Sequence, residues 1–139
     1  MFVEDFRQLR VYQRAFKAAM RIFEITKGWP KEEQYSLTDQ IRRSSRGVCE
    51  NIAEAWFKRR YPRHFVSKIS DAGAEAAETL VWLDFAVACR YMEDPEAEEL
   101  REEYRGILGG LVKMMAHPEQ WCGPSSLVRE EDAMYDIGV

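Results

Sequence analysis

Four proline-bearing breaks cut an otherwise helix-patterned chain into pieces of comparable length, and this spacing limits the fold more than any other feature. The breaks are Gly28-Trp29-Pro30, Tyr61-Pro62, Asp94-Pro95 and His117-Pro118. Proline has no amide to donate, and it pushes the residue before it out of the α region, so each break ends a helix. Between the breaks, apolar residues recur at three- and four-residue steps. From about Asp5 to Lys27 the inward face reads Leu9, Tyr12, Phe16, Ala19, Met20 and Phe23. The second segment starts near Ser36, where Ser36-Leu37-Thr38-Asp39 resembles a capping box, and its apolar line is Ile41, Ser45, Val48, Ile52 and Ala55. The third runs from Pro62 to about Tyr91 with Phe65, Ile69, Ala72, Ala76, Leu80, Leu83 and Val87 inward. In the fourth, Asp94 is read as the cap and Pro95 as the first helical residue. Its inward face is Leu100, Tyr104, Ile107, Leu111 and Met114 or Met115.

Short connections make consecutive helices antiparallel, so the expected fold is all-α, an up-down-up-down four-helix bundle. With 139 residues, 46% of them apolar, one core can be filled. The bundle is expected over residues 1–118, and 119–139 as an acidic tail with at most a short helical turn. Nothing approaches the roughly 20 consecutive apolar residues of a membrane span, and the start lacks the apolar stretch of a signal peptide. Cys49, Cys89 and Cys122 are odd in number and widely spaced, which favours reduced thiols and a cytoplasmic address.

Charge is divided along the chain. Residues 1–70 carry 15 Lys/Arg against 8 Asp/Glu, whereas residues 71–139 carry 5 against 16. Such a division suggests a basic surface for a polyanion or complementary faces that meet each other. On the first helix Arg7, Arg10, Arg14, Lys17 and Arg21 fall within an arc of roughly 80°, opposite the face read as apolar. On the second, Arg42, Arg46 and Arg60 align, with Arg43, Lys58, Arg59, Arg63 and His64 around them and Trp56, Phe57 and Tyr61 interleaved. Cations and rings in this pattern neutralise phosphates and stack bases, although a charged helix face is more often simply solvated. The third helix carries an acidic stripe, Asp71, Glu75 and Glu78, and further on Trp82 and Phe85 in the nearly all-apolar run LVWLDFAVA. One bundle cannot cover that outer face, which suggests a second copy against Trp82 and Phe85, with acidic and basic stripes meeting between chains. A partly exposed Trp82 is the plainer alternative.

A catalytic site is not legible. His64 and His117 lack partners at metal-ligand spacing, and His117 with Cys122 across Pro118 is a weak pair. Gly106, Gly109 and Gly110 lie within a helix rather than in a phosphate loop. Glu75 and Glu78 share a face, but the Glu-x-x-His pairs of di-iron bundles are missing. No Ser or Cys has a base and an orienting carboxylate in view. The expectation is a non-enzyme without cofactor or metal.

The string RRSSRGVCENIAEA, Arg42 to Ala55, resembles the signature of the four-helix bundle proteins encoded in intervening sequences of bacterial 23S rRNA genes, also called S23 ribosomal proteins. That pattern reads approximately R-[ST]-[SA]-x-S-I-P-x-N-I-A-E-G. Arg43, Ser44, Ser45, Asn51, Ile52, Ala53 and Glu54 match it, while Gly47, Cys49 and Ala55 replace its Ser, Pro and Gly. The likeness extends from Phe6 to Met115. It implies a ring-like homo-oligomer, pentameric in related proteins. A further branch consists of accessory proteins of diversity-generating retroelements, which implies RNA or DNA and a reverse transcriptase as partners. No catalytic residue carries over. Arg43, Asn51 and Glu54 lie along one helix face, where they can equally form a structural polar seam. The functional expectation is therefore a nucleic-acid-associated scaffold met by Arg42, Arg46, Arg59, Arg60 and Arg63 with Arg7, Arg14 and Arg21 in support. The alternative is a protein-interaction module that binds no nucleic acid.

Overall fold

The computed structural model describes residues 2–122 and 128–129. Helices α1 (Arg10–Thr26), α2 (Leu37–Phe57), α3 (Pro62–Ala88) and α4 (Asp94–Ala116) form the expected all-α bundle. In it α1 packs on α2 and α4, and α3 packs on the same two. Short 3₁₀ turns at Phe6–Gln8, Lys31–Glu33 and Pro118–Gln120 flank the helices. Two-residue strands β1 (Phe2–Val3) and β2 (Val128–Arg129) pair antiparallel, Phe2 opposite Arg129.

The inward faces of α2 and α4 are those expected from the period: Ile41, Ser45, Val48, Ile52 and Ala55 are buried, as are Leu100, Tyr104, Ile107, Leu111 and Met114. On α3 the line shifts slightly, with Thr79 and Ala86 buried and Leu80 and Val87 at its edges. The reading of α1 needs correction. Its buried face is Val11, Ala15, Ala18, Ile22 and Thr26, while Phe16 is 51% exposed and Met20 is also exposed. The helix is rotated by about one residue, or 100°, from the face that the large side chains suggested. Ala15 and Ala18 let α1 approach its neighbours closely, and the rotation swings Arg14 and Arg21 onto α4, where carboxylates meet them. Two caps also differ from expectation. Ser36 makes no side-chain cap bond, and Glu33 Oε1 instead accepts from the Leu37 amide at 3.2 Å. The N-cap of α4 is Glu93 rather than Asp94, whose carboxylate turns to Arg101.

Between α2 and α3 the facing residues are small. Ser44 and Gly47 meet Thr79, Ala76 and Glu75 across the seam, and the Ser44 and Thr79 hydroxyls are hydrogen-bonded at 2.8 Å in the interior. Each hydroxyl has one proton, so one of them donates across the seam while the other donates to a carbonyl of its own helix, Thr79 to Glu75 or Ser44 to Ile41, and neither is orphaned.

The two ends of the bundle are closed differently. At one, Trp29 is buried against Tyr91, ring centroids 5.8 Å apart, and the Tyr91 hydroxyl donates to Glu33 Oε2 at 2.8 Å. That bond ties the α1–α2 connection to the α3–α4 connection. It holds the Glu33 carboxyl below its ordinary range and pushes the Tyr91 phenol up to about 12. At the other end Val3, Leu9, Trp56 and Trp121 are packed together in the core. Trp121, placed in the tail by the sequence reading, is only 1% exposed, so the core extends past residue 118. The rest of that segment, 123–127 and 130–139 apart from the β2 pairing, lies outside the described residues.

Replacing Trp121 by Ala is expected to cost about 3–5 kcal/mol, the range for deleting a fully buried large aromatic, read as a lower urea midpoint. The α3 terminus gives a prediction of opposite sign. Arg90 has φ 64, the Tyr91 amide donates to the Ala86 carbonyl at 2.8 Å and the Arg90 amide to Val87 at 2.9 Å. This is a Schellman termination with an arginine in the position glycine favours. Arg90→Gly should raise stability by about 1 kcal/mol, because the left-handed conformation is strained for a residue with a Cβ, measured in the same denaturation series.

Candidate nucleic-acid interface

Four residues, Lys58 to Tyr61, join α2 to α3, and their geometry is set by the helix ends. Lys58 caps α2, accepting from the Tyr61 amide at 3.0 Å, and Tyr61 is extended (φ −115, ψ 103) as a residue before proline must be. The C-terminal end of a helix favours cations, which suits Lys58, Arg59 and Arg60. Arg63 and His64 occupy the first turn of α3, which contains no acid. Cations there oppose the helix dipole and add to its positive end. By contrast, the first turn of α4 carries Asp94 and Glu96.

The expected basic residues part company in the fold. Arg14 Nε donates to Glu103 Oε1 at 2.8 Å and Arg21 Nη2 to Glu99 Oε2 at 3.2 Å, so the α1 stripe faces α4 instead of standing clear. Gly106 leaves the space in which the Arg14 guanidinium lies; a Cβ there would collide with it. Arg7 closes on Asp5 and covers the Phe6 ring, and Arg10 also has an interaction within the chain. Arg42 donates to Thr26 Oγ1 at 2.8 Å and lies over Phe23, with Arg46 5.9 Å from the same ring. Arg59 folds 4.2 Å above Trp56 and donates to its carbonyl, which makes it part of the packing at this end. Its partial burial draws the guanidinium pKa down. Lys58, Arg60 and Arg63 remain exposed, and none is ion-paired to another described residue. Beside them stand Phe57, 85% exposed, and Tyr61, 58% exposed, whose ring is 5.5 Å from that of His64.

Arg43, Asn51 and Glu54 lie elsewhere, along a polar groove of about 650 Å³ between α2 and α3. Arg43 pairs with Asp39 at 2.8 Å, Glu54 with Lys68 of α3 at 3.3 Å, and Asn51 Nδ2 donates to the Gly47 carbonyl. Glu75 of the acidic stripe reaches over Gly47 into this groove. Burial first, and Glu78 second, raise its carboxyl above the ordinary value. Asp71 is held by Lys68. Of the expected oligomer contacts, Trp82 is partly buried against the core, and Phe85, 6.0 Å from it ring to ring, is 53% exposed with Val81 exposed alongside. Sequence reasoning missed the exposed Phe16 and Met20, because their size marked them as core. The alanines at three- and four-residue steps beside them were the contrary signal.

Among the described residues no cluster of three or more His, Cys, Asp or Glu is placed to hold a metal ion. Burial pushes the Cys49 and Cys122 thiols up to about 11, away from nucleophilic thiolate. None of the described helices is long and apolar enough to cross a membrane.

A short-looped four-helix bundle with a polar α2–α3 seam and a cationic, aromatic turn defines the class. Residues 7–113 match the family described as 23S rRNA-intervening sequence protein, and the chain belongs to that family. It is similar to a crystal structure of a protein with unknown function from the S23 ribosomal protein family of Bacteroides thetaiotaomicron. That likeness has 25% identity and a TM-score of 0.69, covering 76% of this chain and 95% of that one. No curated protein matches the sequence.

The groove supplies a pH prediction. Because the Glu75 carboxyl is raised, the folded chain holds its proton more tightly than the unfolded chain does. Stability therefore falls as pH rises through the interval above the ordinary carboxylate value. Glu75→Gln should unfold at higher urea than the parent at pH 7, and the two midpoints should converge below the ordinary carboxylate range.

Proposed function

We propose that this chain is a non-enzymatic, oligomeric binding module that contacts the phosphates of RNA or DNA through the α2–α3 end. The observation carrying this reading is the group of three exposed cations, Lys58, Arg60 and Arg63, without carboxylate partners among the described residues, beside an α3 first turn with no acid. An unpaired cation can release counterions from a phosphate backbone, whereas one already paired must first break its own contact. Arg46 extends the positive surface along α2, and Arg14 and Arg21 enter only by giving up their pairing with α4.

Self-association is the second part of the proposal. Val81 and Phe85 on α3 leave an apolar area uncovered next to the half-buried Trp82, and a second copy would remove it from water. The ring-like assembly belongs here, as does the alternative in which such surfaces bind only protein.

Nuclease-treated full-length protein should bind labelled structured RNA at low salt. With three phosphates neutralised per chain the log–log salt slope should be about −2 to −3 per bound chain. Arg60→Glu with Arg63→Glu should weaken binding at least about tenfold and flatten the slope, with a thermal midpoint no lower than the parent's, since a carboxylate suits the α3 first turn. Retention of the oligomer at high salt, by light scattering, is expected for an apolar contact. An absence of binding even at low salt would leave the protein-interaction alternative.

A further inference from the structure

We infer that the α2–α3 end takes unpaired bases, so that its ligand is a single-stranded or looped segment of nucleic acid rather than a continuous duplex. This inference rests on the nucleic-acid reading above and names the ligand class of the same site.

The argument starts from two rings that the fold leaves in water. Phe57 is the last residue of α2 and is 85% exposed; Tyr61 is 58% exposed, four residues later. Both flank the same connection, with Lys58 and Arg60 between them and Arg63 two residues beyond. The rings stand on a fixed backbone. Tyr61 precedes Pro62, its amide is hydrogen-bonded to the Lys58 carbonyl, and its ring lies beside that of His64. A neighbouring aromatic, Trp56, is packed in the core under Arg59, so this end could bury a ring, yet it leaves Phe57 and Tyr61 outside.

Duplex DNA or RNA offers such rings little, because its base faces are already stacked and only edges, sugars and phosphates are accessible. Unpaired bases expose both faces. Proteins that hold them combine cations along the backbone with aromatic platforms under the bases, and every base can stack, so the platform needs no sequence preference. Lys58, Arg60 and Arg63 would hold the phosphates, while Phe57 and Tyr61 each carry a base. An acidic protein partner could use the cations and cover the rings as well, but the alternation of ring and cation along Phe57, Lys58, Arg60, Tyr61 and Arg63 favours a strand of alternating bases and phosphates.

The test uses the full-length chain and three fluorescein-labelled RNAs of matched composition at one ionic strength: an unstructured 20-mer, a hairpin with an eight-nucleotide loop, and a perfect duplex. Fluorescence anisotropy should show the 20-mer and the looped hairpin binding at least about tenfold more tightly than the duplex. Phe57→Ala with Tyr61→Ala should lose about tenfold or more on the 20-mer, with the salt slope unchanged and duplex binding unaffected. Tyr61→Phe should retain binding, since it keeps the ring. Both rings are exposed, so the variants should melt like the parent. Equal binding of all three RNAs, indifferent to loss of the rings, overturns the inference and leaves the electrostatic site standing. No binding of any RNA at low salt overturns both. Loss of the oligomer in the alanine variant, without change in RNA binding, would assign the rings to a protein contact and likewise overturn it.

Discussion

The close contact of α2 with α3 fixes the positions of the other parts. Small residues line their seam, and the buried Ser44–Thr79 hydrogen bond ties the two helices together at one register. Pro62 breaks the helical path locally, so Lys58 to Tyr61 form a short turn between the paired helices. The same register puts Glu75 over Gly47 and Glu54 beside Lys68, which shapes the polar groove. Site and groove are thus two consequences of one helix pair.

Electrostatics then decides which part of the surface is free to act. The basic first half and acidic second half of the chain meet inside one bundle, at Arg14–Glu103 and Arg21–Glu99 between α1 and α4. Arg101 is likewise surrounded by Asp84, Asp94 and Glu98. Exposed pairs of this kind contribute at most about 1 kcal/mol each, so their importance lies in orientation and in the cations they occupy. Among the described residues the cations outside these pairs include Lys58, Arg60 and Arg63 at the α2–α3 end, the last of them in a helix first turn where the dipole disfavours a positive charge.

Placement of the family motif fits an architectural role for most of its residues. Ser44, Ser45 and Ile52 are buried, Asn51 bonds to the carbonyl of Gly47, and Arg43 and Glu54 are ion-paired along the groove. Cys49 stands where the family pattern has proline, and α2 runs unbroken from Leu37 to Phe57. The shared bundle at 25% identity shows that the fold is kept through wide sequence change. Functional differences among relatives are then to be sought at the turn and on the outer faces of α1 and α3.

By itself the sequence determined the number of helices, their ends at the proline breaks, and the inward faces of α2 and α4, since each follows from interactions within a few residues. It also located the dense cations and rings around residues 56–64. Only the tertiary structure decided the rotation of α1, where two apolar stripes compete and close packing of Ala15 and Ala18 outweighs the size of Phe16 and Met20. The burial of Trp121 likewise depends on its joining a core shared with residues far from it in the chain, Val3, Leu9 and Trp56 among them. Which cations of α1 are paired could not be read along that helix, because the partners of Arg14 and Arg21 are Glu103 and Glu99 on α4, brought there by packing between helices far apart in the chain.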